Sequence, residues 1–173
     1  MKPNIILTGL MGAGKTSVGK ILTSKLSDFT FIDIDEQIEK LEGITISKIF
    51  ETKSEKYFRQ LETNTIKHFS EKRNQIISLG GGALENELNR QYLFNSGIVF
   101  YLYATTDVLY NRIKKQSNRP LLLCDNPKQK LEELLKQREI NYKKANVIID
   151  TTNKSFNEIT DEIIRKISCK NHQ

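Results

Sequence analysis

The apolar residues of this chain fall in short blocks that alternate between two spacings. Ile5 to Thr8 is a brief run that leads into a glycine-rich loop, whereas from Thr16 to Leu26 the apolar residues Val18, Ile21, Leu22 and Leu26 recur at helical intervals. A short unbroken run predicts a strand covered on both faces, and the 3.6-residue period predicts a helix that follows it. The alternation returns along the chain: Phe29 to Ile34, Gln75 to Leu79, Ile98 to Tyr103 and Val147 to Ile149 are further predicted strands, with helical segments between them. Such βαβ repetition implies an α/β fold, a parallel sheet with helices on both faces. Two helix starts carry their own punctuation. Asn126 precedes Pro127, a capping residue before a first-turn proline, and Ser155 with Glu158 forms a capping box ahead of Ile159, Ile163 and Ile167. The stretch from Lys114 to Lys128 is polar and interrupted by Pro120 and Pro127, and it is expected to form a mobile flap.

Composition narrows the class. At 173 residues, with 38% hydrophobic and 28% charged positions, the chain can bury one core without disulfide or metal staples. No apolar run approaches the roughly 18 residues of a spanning helix, and the first residues lack a signal-peptide pattern, so a cytoplasmic protein with no membrane partner is expected. Cys124 and Cys169 stand far apart without metal-ligand spacing and are expected to be reduced thiols; His68 and His172 have no catalytic setting. The net charge of +6 favours anions but does not choose among nucleotides, carboxylates and nucleic acids. With no ribonucleoprotein aromatics, zinc knuckle or arginine-rich arm, no nucleic-acid partner is expected.

The most specific motif is Gly9-Leu10-Met11-Gly12-Ala13-Gly14-Lys15-Thr16, which has Walker A spacing directly after a strand and opens a helix. Backbone N–H groups of such a loop, Gly12, Ala13, Gly14 and on through Ser17, point at phosphate oxygens, and the helix N-terminus adds its positive end. Lys15 would reach the β- and γ-phosphates of a nucleotide, and the Thr16 hydroxyl would ligate Mg2+. The loop does not name the acceptor, since GTPases, ATPases and small-molecule kinases share it.

In Phe31-Ile32-Asp33-Ile34-Asp35 the two aspartates are one residue apart, so a strand continuing this far would project both to one face. Asp33 is expected in the metal shell through water. Asp35 is expected at the acceptor hydroxyl, orienting it and taking its proton late. The competing reading is that these acids cap a helix beginning near Glu36. On the helix after Asn126, the stripe of Leu131, Leu134 and Leu135 continues through Arg138 and Tyr142, which puts a guanidinium where a core residue belongs. A bound carboxylate would justify that placement; a boundary arginine reaching water or a local acid is the alternative. Arg59 is predicted to flank a helix face made of Phe58, Leu61, Thr65 and Phe69, where it could join Arg138 on one carboxylate. Gly80-Gly81-Gly82 strips a strand end of side chains, which suits either the close approach of a substrate or a tight connection. Arg119, beside Pro120 in the flap, is the candidate cation to close over the phosphates.

These motifs, in this order, resemble those of the shikimate kinase family along nearly the whole chain: the phosphate loop, Asp33-Ile-Asp35, Phe58-Arg59-x-x-Glu62, Gly80 to Gly82, Arg119-Pro120-Leu121-Leu122 and Arg138-x-x-x-Tyr142. The resemblance implies a P-loop NTPase-like three-layer sandwich whose five-stranded parallel sheet has the order 2-3-1-4-5. It implies Mg-ATP as donor and shikimate, phosphorylated at its 3-hydroxyl, as acceptor. It carries over Asp35, Arg59, Gly81 and Arg138 as substrate contacts, with Gly80 and Gly82 beside them, and Arg112 and Arg119 as nucleotide contacts. One domain over 1–173 is expected, a monomer with a lid around 112–126 and a substrate-binding helical segment around 36–62. Ala145-Asn146-Val147 departs from the family's usual Ala-Asp-Val near the adenine, which bears on whether Lys154 touches the base. Gluconate kinases and nucleoside monophosphate kinases are the nearest alternatives, and a nucleotide-responsive nucleic-acid binder is the alternative from another class.

Overall fold

A computed structural model of the chain describes residues 2–114 and 126–170. Its elements run β1 (Asn4–Thr8), α1 (Lys15–Lys25), β2 (Thr30–Asp33), α2 (Ile34–Glu42), α3 (Ile46–Thr52), α4 (Glu55–Ser70), β3 (Gln75–Ser78), a 3-10 turn (Ala83–Glu85), α5 (Glu87–Ser96), β4 (Gly97–Tyr103), α6 (Thr106–Ile113), α7 (Pro127–Tyr142), β5 (Val147–Asp150) and α8 (Phe156–Lys170). The five strands pair in parallel in the order β2-β3-β1-β4-β5, as the family resemblance implies.

The order follows from where the apolar runs can be buried. All of β1 is inaccessible to solvent, flanked by β3 and β4, whereas β5 closes one edge and leaves Ile148 50% exposed. The connection from β1 leads toward β2 and the connection from β3 leads the other way to β4. Right-handed crossovers therefore lay α1 and α5 on opposite faces of the sheet. Helix α8 packs on α1, and α4 packs on α5, so each face carries its own pair. Where the two connections diverge, between the C-terminal ends of β1 and β3, a crevice opens, and open α/β sheets bind ligands there.

Two local expectations are corrected. Strand β2 ends at Asp33, and Asp35 lies in the first turn of α2, so strand alternation is not what brings the two acids together. The buried face of α4 is Phe58, Glu62, Ile66 and Ser70, every fourth residue, which places an acid and not Leu61 at its centre. Arg112, the expected start of the lid, belongs to α6. Residues 115–125, with Arg119, Pro120, Leu121, Leu122 and Cys124, lie outside the described residues, as does His172. Both punctuated helix starts occur as read: Asn126 Oδ1 accepts from Gln129 N at 3.2 Å, and the Ser155–Glu158 box closes at 2.8 and 3.3 Å. No helix among the described residues is long and apolar enough to cross a membrane.

Candidate active site

The crevice is a cleft of about 560 Å³ at the C-terminal ends of β1 and β3. The phosphate loop forms its floor. Gly14 caps α1 in the left-handed conformation, φ 88° and ψ 15°, with no side chain satisfying the first N–H groups of the helix. Those donors, and the positive end of the helix, face the place an anion would occupy. Gly12 is also left-handed at φ +82°, and a Cβ there would meet Ile113 Cγ2 at 2.8 Å, so only glycine lets the loop pass under α6. Lys15 Nζ donates to the carbonyls of Gly9 at 2.8 Å and Leu10 at 3.2 Å, which holds its charge on the loop.

Asp33 uses its two oxygens for two purposes. Oδ1 accepts the N–H groups of Asp35 and Glu36, capping α2, while Oδ2 accepts from the Thr16 hydroxyl at 2.8 Å. The capping alternative holds for Asp33 alone, buried and on a helix that begins at Ile34, and the cap also aims its other oxygen at the phosphate loop. A hydroxyl and one carboxylate, with room beside them, suit a hard divalent cation that takes its remaining ligands from water and phosphate. Among the described residues no group of three or more His, Cys, Asp or Glu side chains could hold a metal by itself.

Asp35 is the second acid of the cleft. Its Oδ1 is buried without a hydrogen-bond partner. Burial first, then the charges of Asp33 and Glu62, push its carboxyl up from 3.8 to about 6, against the opposing pull of Lys15. Gly80 makes room for it: a Cβ on Gly80 would stand 2.8 Å from Asp35 Oδ1 and 3.1 Å from Glu62 Oε1. Glu62, only 1% exposed, is raised by burial and lowered by Arg59, whose Nη1 donates to it at 2.8 Å.

At the far end, Arg138 and Gly81 line the cleft together, a Cβ on Gly81 lying 3.2 Å from Arg138 Nη1. Arg112 lines the opposite end, where its guanidinium holds the Thr151 carbonyl at 2.7 Å and the Thr151 hydroxyl at 3.1 Å.

Of the expected residues, Gly12, Gly14, Lys15, Thr16, Ser17, Asp33, Asp35, Gly80, Gly81, Arg112 and Arg138 border this one cleft. Ala13 is buried beneath the loop. Arg59 and Gly82 stand just behind the wall: Arg59 covers Gly82, its Nη2 2.8 Å from where a Cβ would be, and it bonds Glu55 and Glu62. Lys154 is engaged by Glu162 at 2.6 Å, away from the cleft. Sequence reasoning assigned no part to Glu62, Tyr142 or Phe156. Phe156, 38% exposed, borders the cleft against Gly14, and the signal was available, since it follows the capping serine and interrupts a polar stretch.

The shikimate kinase family model matches residues 11–168 of this chain. The shikimate kinase of Thermodesulfovibrio yellowstonii is 42% identical over 163 residues, covering 94% of each chain. Among solved structures, the shikimate kinase from Acinetobacter baumannii in complex with shikimate superposes with a TM-score of 0.94 at 37% identity, covering 100% of this chain and 97% of that one. The Aquifex aeolicus shikimate kinase superposes with a TM-score of 0.85 at 34% identity, covering 97% and 98%.

Proposed function

This chain belongs to the shikimate kinase family, and from that premise we propose how its own residues move the γ-phosphoryl group of ATP to the 3-hydroxyl of shikimate, giving shikimate 3-phosphate and ADP. The observation that carries the reading is convergence: one cleft joins the phosphate loop, an unpartnered buried carboxylate and an inward arginine.

ATP lies along the loop with its phosphates on the N–H groups of residues 12–17, and Lys15 leaves its carbonyl partners to meet the β- and γ-phosphate oxygens. Arg112 and Phe156 border the nucleoside end of the cleft. Thr16 would hold Mg2+ directly and Asp33 through water, and the ion would offset the charge of the phosphate oxygens. Arg119, from its motif alone, is assigned to the same phosphates.

Shikimate enters at the other end. Its carboxylate meets Arg138, with Arg59 behind Gly82 as the second cation, and the ring rests against Gly80 and Gly81, where the absence of side chains permits close approach. Asp35 Oδ1 accepts the hydrogen bond of the 3-hydroxyl and fixes the oxygen in line with the γ-phosphorus. As the new O–P bond forms and the bond to the β-phosphate oxygen breaks, the hydroxyl proton passes to Asp35. A transition state with little nucleophile charge asks orientation of that acid more than strength as a base. The reading is of a monomer acting on the small molecules shikimate and ATP in the cytoplasm, with no nucleic-acid or membrane partner.

A coupled ADP-release assay offering shikimate, gluconate and AMP separately tests the assignment. Shikimate alone should support turnover, and Lys15→Ala should abolish it; turnover with gluconate and not shikimate would overturn the reading.

A further inference from the structure

Tyr142 is 0% exposed at the last turn of α7, a position that sequence periodicity assigns to the core. Its ring lies on Tyr101 of β4, with centroids 5.0 Å apart and planes at 32°. That stack fixes the direction of the hydroxyl, which donates to the Gly81 carbonyl. The neighbouring carbonyls are held differently. Gly80 O accepts from Ala83 N and Gly82 O from Glu85 N, each at 3.1 Å and each within the local turn. The Gly81 carbonyl, between them, is anchored from another element. Because the peptide is planar, anchoring that oxygen also sets the direction of the Gly82 N–H. Burial keeps the phenol protonated, raising it to about 12 against the opposing effect of Arg138, so the hydroxyl is a donor throughout the working pH range. Arg138 sits one turn earlier on the same helix, beside the same glycine.

We propose that Tyr142 is a positioning residue for recognition of the substrate carboxylate: its hydroxyl, joined to the Gly81 carbonyl, keeps the glycine turn and Arg138 in the register that receives the anion. This rests on the reading of Arg138 and Gly81 as shikimate contacts. A glycine triplet has no side chains with which to hold itself, so its register must be imposed from outside. Tyr101 serves as the contrast. It shares the ring stack, but its buried hydroxyl has no hydrogen-bond partner, so it contributes packing alone.

The test is steady-state kinetics on Tyr142→Phe, Tyr101→Phe, Arg138→Ala and the double variant Arg138→Ala/Tyr142→Phe. Removing only the Tyr142 hydroxyl should raise the KM for shikimate at least about 5-fold, with kcat and the KM for ATP within about twofold, the pattern of lost uniform binding. In the Arg138→Ala background the same change should add nothing, since both act on one contact. Tyr101→Phe should not move the shikimate KM. If Arg138→Ala raises that KM and Tyr142→Phe does not, the positioning role is overturned while the carboxylate site stands; if Arg138→Ala leaves it unmoved, both fall. An equal effect of Tyr101→Phe would make the stack, not the hydrogen bond, responsible and would also overturn it. Hydrogen exchange on the unaltered chain adds an arm free of any substitution. Shikimate should slow exchange in residues 80–82 and 138–142 together, and protection of the glycines alone would contradict the linkage.

Discussion

Asp35 occupies a site that favours chemistry at the expense of stability. Its carboxyl is raised from 3.8 to about 6, by burial above all. Between about pH 4 and 6 the native state therefore holds a proton that the unfolded chain has released, and native stability falls as pH rises through that window. Above it the fold carries a buried carboxylate, a cost of up to about 3 kcal/mol at about 1.4 kcal/mol per pH unit between the two pKa values. Asp35→Asn removes the charge and keeps the shape. Urea unfolding at about pH 8 should find the variant more stable than the parent, with the gain vanishing toward about pH 4, while kcat drops by at least about 100-fold. Near-normal turnover would exclude Asp35 from the phosphoryl transfer, and a variant less stable at about pH 8 would show that burial of its charge does not oppose folding. In the unaltered enzyme, kcat/KM for shikimate should fall as pH drops through about 6, because the protonated acid can no longer take the hydroxyl proton.

At the scale of elements, the site is assembled by helix ends. Asp33 terminates β2, caps α2 and turns its other oxygen to Thr16 at the start of α1, so one side chain joins three elements. Asp33→Ser keeps a capping oxygen and loses the carboxylate, whereas Asp33→Ala loses both. Thermal unfolding should place the serine variant near the parent and the alanine variant about 1 kcal/mol below it, the usual worth of a cap. Both should need more magnesium for half-maximal turnover, which an assay over a magnesium series reads directly; a serine variant with the parent's magnesium requirement would remove Asp33 from the metal shell. Gly80→Ala would drive a methyl group toward Asp35 Oδ1 and Glu62 Oε1. Its kcat should fall about 10-fold or more while the KM for ATP stays put. What sequence could show at this scale depended on contiguity. The phosphate loop was legible because strand, glycines, lysine and helix follow one another, and Arg138 was legible because a guanidinium interrupts a leucine stripe. The Asp33–Asp35 pair borders the cleft, but not for the reason of strand alternation, since a period of two over three residues cannot reveal that a helix starts at Ile34. Glu62 and Tyr142 were seen only as parts of motifs, because what they do is set by Arg59 across a helical turn and by Gly81 across 61 residues.

For the whole molecule, the reversal of connection direction beside β1 decides where the two substrates meet. The loops after β1 and β3 stand at neighbouring strand ends of one sheet, so on the proposed reading the nucleotide at the first and the acid at the second meet there. The order of the sheet was expected from family resemblance and not from periodicity, since short buried runs predict strands without predicting neighbours. Two ligands on one native state leave separate thermodynamic signatures. Each stabilises the fold in proportion to its occupancy, about 2.7 kcal/mol at a hundred times its Kd. In a domain of this size that corresponds to a rise in melting temperature of roughly 5 to 11 °C. Thermal scans with shikimate alone and with ADP and magnesium alone should each show such a rise for the parent chain. Arg138→Ala should lose the shikimate shift and keep the ADP shift, and Lys15→Ala the reverse, because the two side chains serve opposite ends of the cleft. Loss of both shifts in either variant would mean that the ends are not separable, and the division of the cleft between nucleotide and carboxylate would have to be redrawn.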